Sequence, residues 1–175
     1  MTPRVAGWLL HGALLALPWL ITREPGAALA TWAWVLGTSE SDGRASEAVP
    51  AAEARRALLL LSTLVAALAT ATPIDAPTAL VSAIAMVLGL AIRRAAVRSL
   101  GDAFTARIVV GERVVSGPYR WLDHPSELGL LLASLGFAGL CGSGVGLLAW
   151  VFAVALPSIR RCRAEDHAWA VAPTR

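Results

Sequence analysis

Ser116-Gly117-Pro118-Tyr119-Arg120-Trp121-Leu122-Asp123-His124-Pro125-Ser126-Glu127-Leu128-Gly129 is a dense run of turn-forming and titratable residues set between apolar stretches. Beyond an apolar hairpin, Leu128 to Cys141 and Val145 to Ile159, lies a second polar group, Arg160-Arg161-Cys162-Arg163-Ala164-Glu165-Asp166. The two ends of a hairpin emerge at the same face, so both clusters are expected to meet there. That juxtaposition predicts a site, and it makes an enzyme the leading reading.

Composition defines the surrounding medium. Apolar residues make up 57% of the chain and charged residues only 15%, outside the range of ordinary soluble domains. All fifteen basic residues are Arg, which we read as codon bias and not as chemistry. A formal charge of +3, with its arginines scattered among apolar runs, gives no basic face for nucleic acid. The expected fold class is therefore all-α: a polytopic helical membrane protein with five or six membrane segments and a cofactor site at the cytoplasmic face. Six apolar runs carry this expectation: Val5 to Ile21, Ala27 to Gly37, Ala57 to Ile74, Thr78 to Ile92, and the two arms of the hairpin. The second run is too short to span alone, since a crossing takes about 20 residues. Residues 1–175 read as a single membrane domain, with N-terminal helices and a cytoplasmic linker over 1–56 and the core over 57–175. The linker from Thr38 to Arg56 reads as a solvated loop leading into a helix near Ala51.

Charge placement orients the chain. Arg93, Arg94, Arg98, Arg107, Arg113 and Arg120 lie in one connection, and Arg160, Arg161, Arg163 and Arg175 follow the last apolar run. The turns at Pro73–Pro77 and Gly142–Gly144 carry no basic residue. By the positive-inside rule, both titratable clusters face the cytoplasm, in what we read as a bacterial inner membrane. The first run is read as a membrane segment and not as a signal peptide, because only Arg4 precedes it, although Ala28-Leu29-Ala30 has the look of a cleavage site. Cys141 and Cys162 fall at opposite faces and are expected to stay unpaired. His11 reads as a satisfied polar contact within an apolar run. No His, Cys and carboxylate combination has metal spacing, so no metal is expected. Trp8, Trp19, Trp150 and Trp169 sit near span ends and read as interfacial anchors.

Each polar cluster also has a purely structural reading. Pro125 suits the first position of a helix, placing His124 at the cap and Glu127 in the first turn, where the helix dipole favours a carboxylate. Arg161 and Glu165 are one helical turn apart and form a natural pair.

Taken together, Gly-Pro-Tyr-Arg-x-x-x-His-Pro-x-x-x-Gly, the apolar hairpin and Arg-x-x-x-Glu-Asp resemble the isoprenylcysteine carboxyl methyltransferase family of integral membrane proteins. Ser99-Leu100-Gly101-Asp102-Ala103-Phe104-Thr105 resembles the family's upstream Leu-Gly element, and the likeness extends roughly from Thr78 to Trp169. The resemblance implies an S-adenosylmethionine-dependent methyltransferase acting on a small lipophilic acceptor from the bilayer, at a carboxylate or an acidic hydroxyl. Its partners would be that acceptor and membrane lipid. Carried onto this chain, it implies cofactor contacts from Gly117, Tyr119, Arg120, Leu122, His124, Pro125, Gly129 and Glu165. Arg161 and Glu165 would be the catalytic residues. Two positions depart from the usual family form: Asp123 stands where Arg is usual, and Glu127 where Tyr is common. The first reverses a charge, with Arg120 and then Arg161 the nearest candidates to compensate. Two other readings stay open: a non-catalytic membrane scaffold that lost the activity, and a related membrane reductase using NADPH.

Overall fold

The computed structural model describes residues 16–39, 51–100 and 115–171, with side chains described for 16–35, 58–100 and 115–171. After a helical stretch at 16–22, the helices are α1 (Pro25–Ser39), α2 (Ala51–Ala69), α3 (Ala76–Leu100), α4 (Pro125–Leu140), α5 (Gly144–Trp150) and α6 (Leu156–Val171). A short 3-10 turn, Gly117–Arg120, precedes α4. No strand occurs among the described residues, and the all-α class follows.

Side chains are distributed along α3 in the reverse of a soluble helix. Ser82, Met86, Gly89 and Leu90 face inward, whereas Leu80, Val81, Ile84, Val87 and Leu88 are exposed. A row of large apolar groups facing outward, with Ser82 and Gly89 interleaved between Met86 and Leu90 on the inner face, suits a lipid surround, where helix contact depends on close packing and not on hiding apolar surface from water. The 25-residue α3 and the 28-residue rod Gly144–Val171 are long and apolar enough to cross a membrane. Leu58–Ala69 and Pro125–Leu140 are apolar but shorter. At 16 residues, α4 is about 24 Å long, under the roughly 30 Å of a hydrocarbon core. It occupies the interior, with nine buried residues.

The α3–α4 contact is backbone on backbone. A Cβ on Gly89 would lie 2.2 Å from the Ala133 amide nitrogen, and one on Gly136 would lie 2.5 Å from both the Met86 amide nitrogen and the Ser82 carbonyl oxygen. Glycines at these positions let the two helices touch along their length. Around this pair, Ala27, Ala30 and Trp34 of α1, Ala67 of α2 and Val154 join one core, with Trp34 set edge-on to Phe137 at 6.0 Å. The Ala28-Leu29-Ala30 triplet thus lies within α1, with both alanines buried.

The rod from Gly144 to Val171 contains a π-helical turn at Val151–Ala155, where the Leu156 N–H donates to the Val151 carbonyl. Pro157 follows directly and lacks an N–H for the turn behind it, so a widened turn accommodates it. One extra residue in the winding rotates everything beyond it by about 100°. The face carrying Arg161 and Glu165 is set by that rotation.

The two ends of the bundle differ. At one end the turns free of basic residues meet: the Thr72 N–H donates to Cys141 O at 2.9 Å and the Thr72 hydroxyl to Gly142 O at 2.6 Å, while the Thr70 and Ser143 hydroxyls are bonded. Gly142 takes φ +61°, and a Cβ there would meet the Thr72 carbonyl oxygen, so glycine is required. The titratable clusters meet at the other end. Cys141 and Cys162 are both free thiols. Trp150 departs from its expected place as an interfacial anchor: it packs against the core, and its indole N–H donates to the Ser134 hydroxyl at 3.0 Å. Trp19 and Trp169 are exposed, whereas Trp8, His11, most of the linker and the element following Leu100 lie outside the described residues.

Candidate active site

The site is assembled at the start of α4 and the middle of α6. Pro125 begins α4 at its first position and is fully buried, which fixes His124 as the cap residue. The His124 side chain makes no capping bond to its own helix. It reaches across to α6, placing Nδ1 3.1 Å from Glu165 Oε2 and Nε2 2.9 Å from Asp166 Oδ1. Consecutive positions on α6 therefore grip both edges of one imidazole.

Arg161 adjoins this group. Its Nε donates to Glu165 Oε1 at 2.9 Å, the one-turn pair expected from spacing, and lies 3.5 Å from Glu127 Oε1. Glu127 is 5% exposed, the most secluded carboxylate among the described residues. Its burial is tolerable because the guanidinium is adjacent and the first turn of α4 presents its dipole. The Arg161, Glu165 and His124 side chains are each about one-fifth exposed, so the network is half-sunk at the bundle end.

Tyr119 closes one side. Ser126 hydrogen-bonds to its phenol, and burial, with the nearby charges of Glu165 and Glu127, pushes the phenol's pKa up from its ordinary value. The Ser126 carbonyl in turn accepts a 3.4 Å bond from Arg93 Nη1 on α3. Gly117 takes φ +58°, where a Cβ would strike the Ser99 hydroxyl, so it fastens the turn onto the end of α3.

Of the residues singled out in the sequence, His124, Arg161 and Glu165 are brought into direct contact, with Tyr119 alongside. Pro125 shapes the entry to α4. Gly129 faces α3, where a Cβ would lie 2.6 Å from the Arg93 amide nitrogen. Arg120 and Leu122 are exposed, and the Arg120 guanidinium stacks 5.2 Å from the Trp121 ring centroid. Glu127 and Asp166 belong to the network although sequence reasoning assigned them no role. The available signal for Glu127 was its place one turn after the cap, aligned to meet whatever the next helix offered.

The bundle is helical with a lipid-suited exterior, and a polar network joins the start of α4 to the middle of α6. Residues 81–171 match the model of the isoprenylcysteine carboxyl methyltransferase (ICMT) family, and the chain belongs to that family. The match runs from α3 to the end of α6 and includes both polar clusters. Members of the family are membrane-embedded methyltransferases that use S-adenosylmethionine. No curated protein and no solved structure matches the chain.

Proposed function

We propose that this protein transfers a methyl group from S-adenosylmethionine to an oxygen, of a carboxylate or an acidic hydroxyl, on a small lipophilic acceptor that enters from the bilayer. The observation that carries this reading is the network itself, in which His124, Glu165 and Asp166 interlock beside the Arg161–Glu127 pair. The donor set suits the cofactor: three carboxylates against one guanidinium leave negative charge to receive sulfonium and ammonium groups. Bound there, S-adenosylmethionine would supply an electrophilic methyl group.

Gly117, Tyr119, Arg120, Leu122, His124, Pro125, Gly129 and Glu165 are the residues we assign to cofactor binding, with Arg161 and Glu165 as the catalytic pair. Methyl transfer is an in-line displacement that gains most from alignment and exclusion of water. Arg161, fixed through Nε by Glu165, is oriented to hold an oxygen-bearing acceptor. Glu165, fixed in turn by His124, is held in one rotamer for a polar part of the cofactor. Exposed apolar side chains on α2, α3 and α5 give the acceptor a lipid-side approach. We further propose five or six membrane segments, a core over 57–175, and a site facing the cytoplasm of a bacterial cell, from the arginine distribution.

Titration calorimetry of the detergent-purified chain with S-adenosylhomocysteine, beside NADPH, tests the reading. Binding of the first alone supports it, and His124→Ala and Glu165→Ala should each weaken that binding while membrane insertion persists. Binding of NADPH alone would shift the case to a reductase. Binding of neither, in folded protein, would mark a scaffold without the activity.

A further inference from the structure

S-adenosylmethionine carries three charged groups: a sulfonium, an ammonium and a carboxylate. Carboxylates such as Glu165 suit the two cations. The carboxylate needs a cation of its own, set close by, because it shares one carbon atom with the ammonium. Asp123, next to His124, has the wrong sign for that task.

The arginines nearest in sequence are poorly placed for it. Arg161 is committed through Nε to Glu165 at 2.9 Å and Glu127 at 3.5 Å. Arg120 is exposed, its guanidinium stacked on Trp121, so a carboxylate held there would stay in water, where an ion pair is worth little. Arg160 and Arg163 are exposed as well.

Arg93 of α3 meets the requirement. It is half-buried, and its Nη1 donates to the Ser126 carbonyl, two residues past His124, at 3.4 Å. Backbone packing fixes the start of its side chain, since a Cβ on Gly129 would lie 2.8 Å from the Arg93 Cβ. The guanidinium thus reaches the first turn of α4 from α3, while Glu165 and Asp166 reach His124 from α6. The Tyr119 phenol, bonded to Ser126, feels the charges of Arg93, Glu165 and Glu127 alike. Side chains of both signs therefore border one point, as an α-amino acid group requires. The Ser126 carbonyl is neutral and its bond to Nη1 is long, so a carboxylate is the stronger partner for that nitrogen.

Resting on the methyl-transfer reading, we propose that Arg93 is a cofactor-binding residue that pairs with the carboxylate of the cofactor's amino-acid end, the position that Asp123 cannot fill. The cofactor would then be held by its amino-acid end between α3 and α6, with α4 between them.

Titration calorimetry on the detergent-purified full chain tests this with two ligands. One is S-adenosylhomocysteine; the other is its decarboxylated form, which keeps the adenosine, thioether and ammonium and lacks only the carboxylate. Wild type should favour S-adenosylhomocysteine by at least about tenfold, a difference of about 1.4 kcal/mol. Arg93→Gln should weaken S-adenosylhomocysteine by at least about tenfold and shift the decarboxylated ligand by less than about twofold. Arg98→Gln removes an exposed charge from the end of the same helix and should leave the wild-type preference in place.

Equal weakening of both ligands by Arg93→Gln would mean that Arg93 only braces α4, and overturns the proposal. Unchanged binding, a wild type indifferent to the carboxylate, or the same selective loss in Arg98→Gln overturns it too. In each of these cases S-adenosylhomocysteine still binds wild type, so the methyl-transfer reading survives. A wild type that binds neither ligand ends both. Should Arg93→Gln fail to fold, Arg93→Lys must still narrow the gap between the ligands, because a point charge does not match a planar fork against a carboxylate. An unchanged gap in that variant overturns the proposal equally.

Discussion

Gly129→Ala perturbs the contact on which the site's geometry depends. The new methyl would lie 2.6 Å from the Arg93 amide nitrogen and 2.7 Å from the Gly89 carbonyl oxygen, both backbone atoms of α3 that cannot swing aside. Ordinary contact begins at 3.4 Å, so the helices must part by about 0.8 Å near this point. A gap of that order forfeits a quarter to a half of the dispersion attraction along the seam. Forcing a methyl into a packed interface costs about 1–3 kcal/mol, and rigid backbone on the far side favours the upper part of that range. Against this stands a gain of about 1 kcal/mol for Ala over Gly in a helix. The net expectation is a loss of about 2 kcal/mol, or roughly 4–8 °C in Tm for a chain of this size. Because α4 also carries Glu127, its displacement should weaken S-adenosylhomocysteine binding as well. The control is Gly144→Ala, where a Cβ meets nothing within 4 Å and Tm should hold or rise slightly. Thermal unfolding in detergent at a fixed scan rate reads both. A Gly129→Ala protein melting within about 1 °C of the parent would refute the claim that this contact holds the bundle together.

Other consequences are open to direct measurement. Tyr119 is the chain's single tyrosine, so ultraviolet absorbance titration reads it alone, and its midpoint should lie above that of a free phenol. Because folding raises this pKa, its contribution to stability is intact below about pH 10 and declines as pH rises through the folded value. Glu165→Gln removes a neighbouring negative charge and should move the Tyr119 midpoint down; an unmoved or higher midpoint would contradict the placement. Glu127→Leu should leave Arg161 paired only with Glu165 and lower stability by about 1–3 kcal/mol in denaturant melts, less than a full buried-pair loss because one partner remains. Asp123→Arg should tighten S-adenosylhomocysteine binding by calorimetry if the usual family charge is favourable here, whereas weaker binding would give Asp123 a role of its own.

Much of the site was legible because its cues are local. Proline at the first helical position dictates the cap, so Pro125 fixed His124 and placed Glu127 in the first turn. Helical spacing alone pairs Arg161 with Glu165. The partners of His124 were not legible: Asp166 and Glu165 reach it only because of the rotation of α6, and the preceding π turn enters that rotation with no period of its own in the sequence. Trp150 shows the same limit. Its position near the end of an apolar run suggested an interfacial anchor, yet a neighbouring hydroxyl on α4 makes it an interior donor.

By itself, the sequence determined an all-helical, lipid-suited chain, the family, and the meeting of two polar clusters at one end, because hydropathy, proline and charge act over a few residues or over whole segments. The tertiary structure alone decided that Glu127 is buried against Arg161, that His124 is gripped on both nitrogens, and that Gly129 serves a helix contact. Those outcomes depend on the separation and rotation of two helices packed backbone to backbone, and neither quantity is carried by any residue on its own.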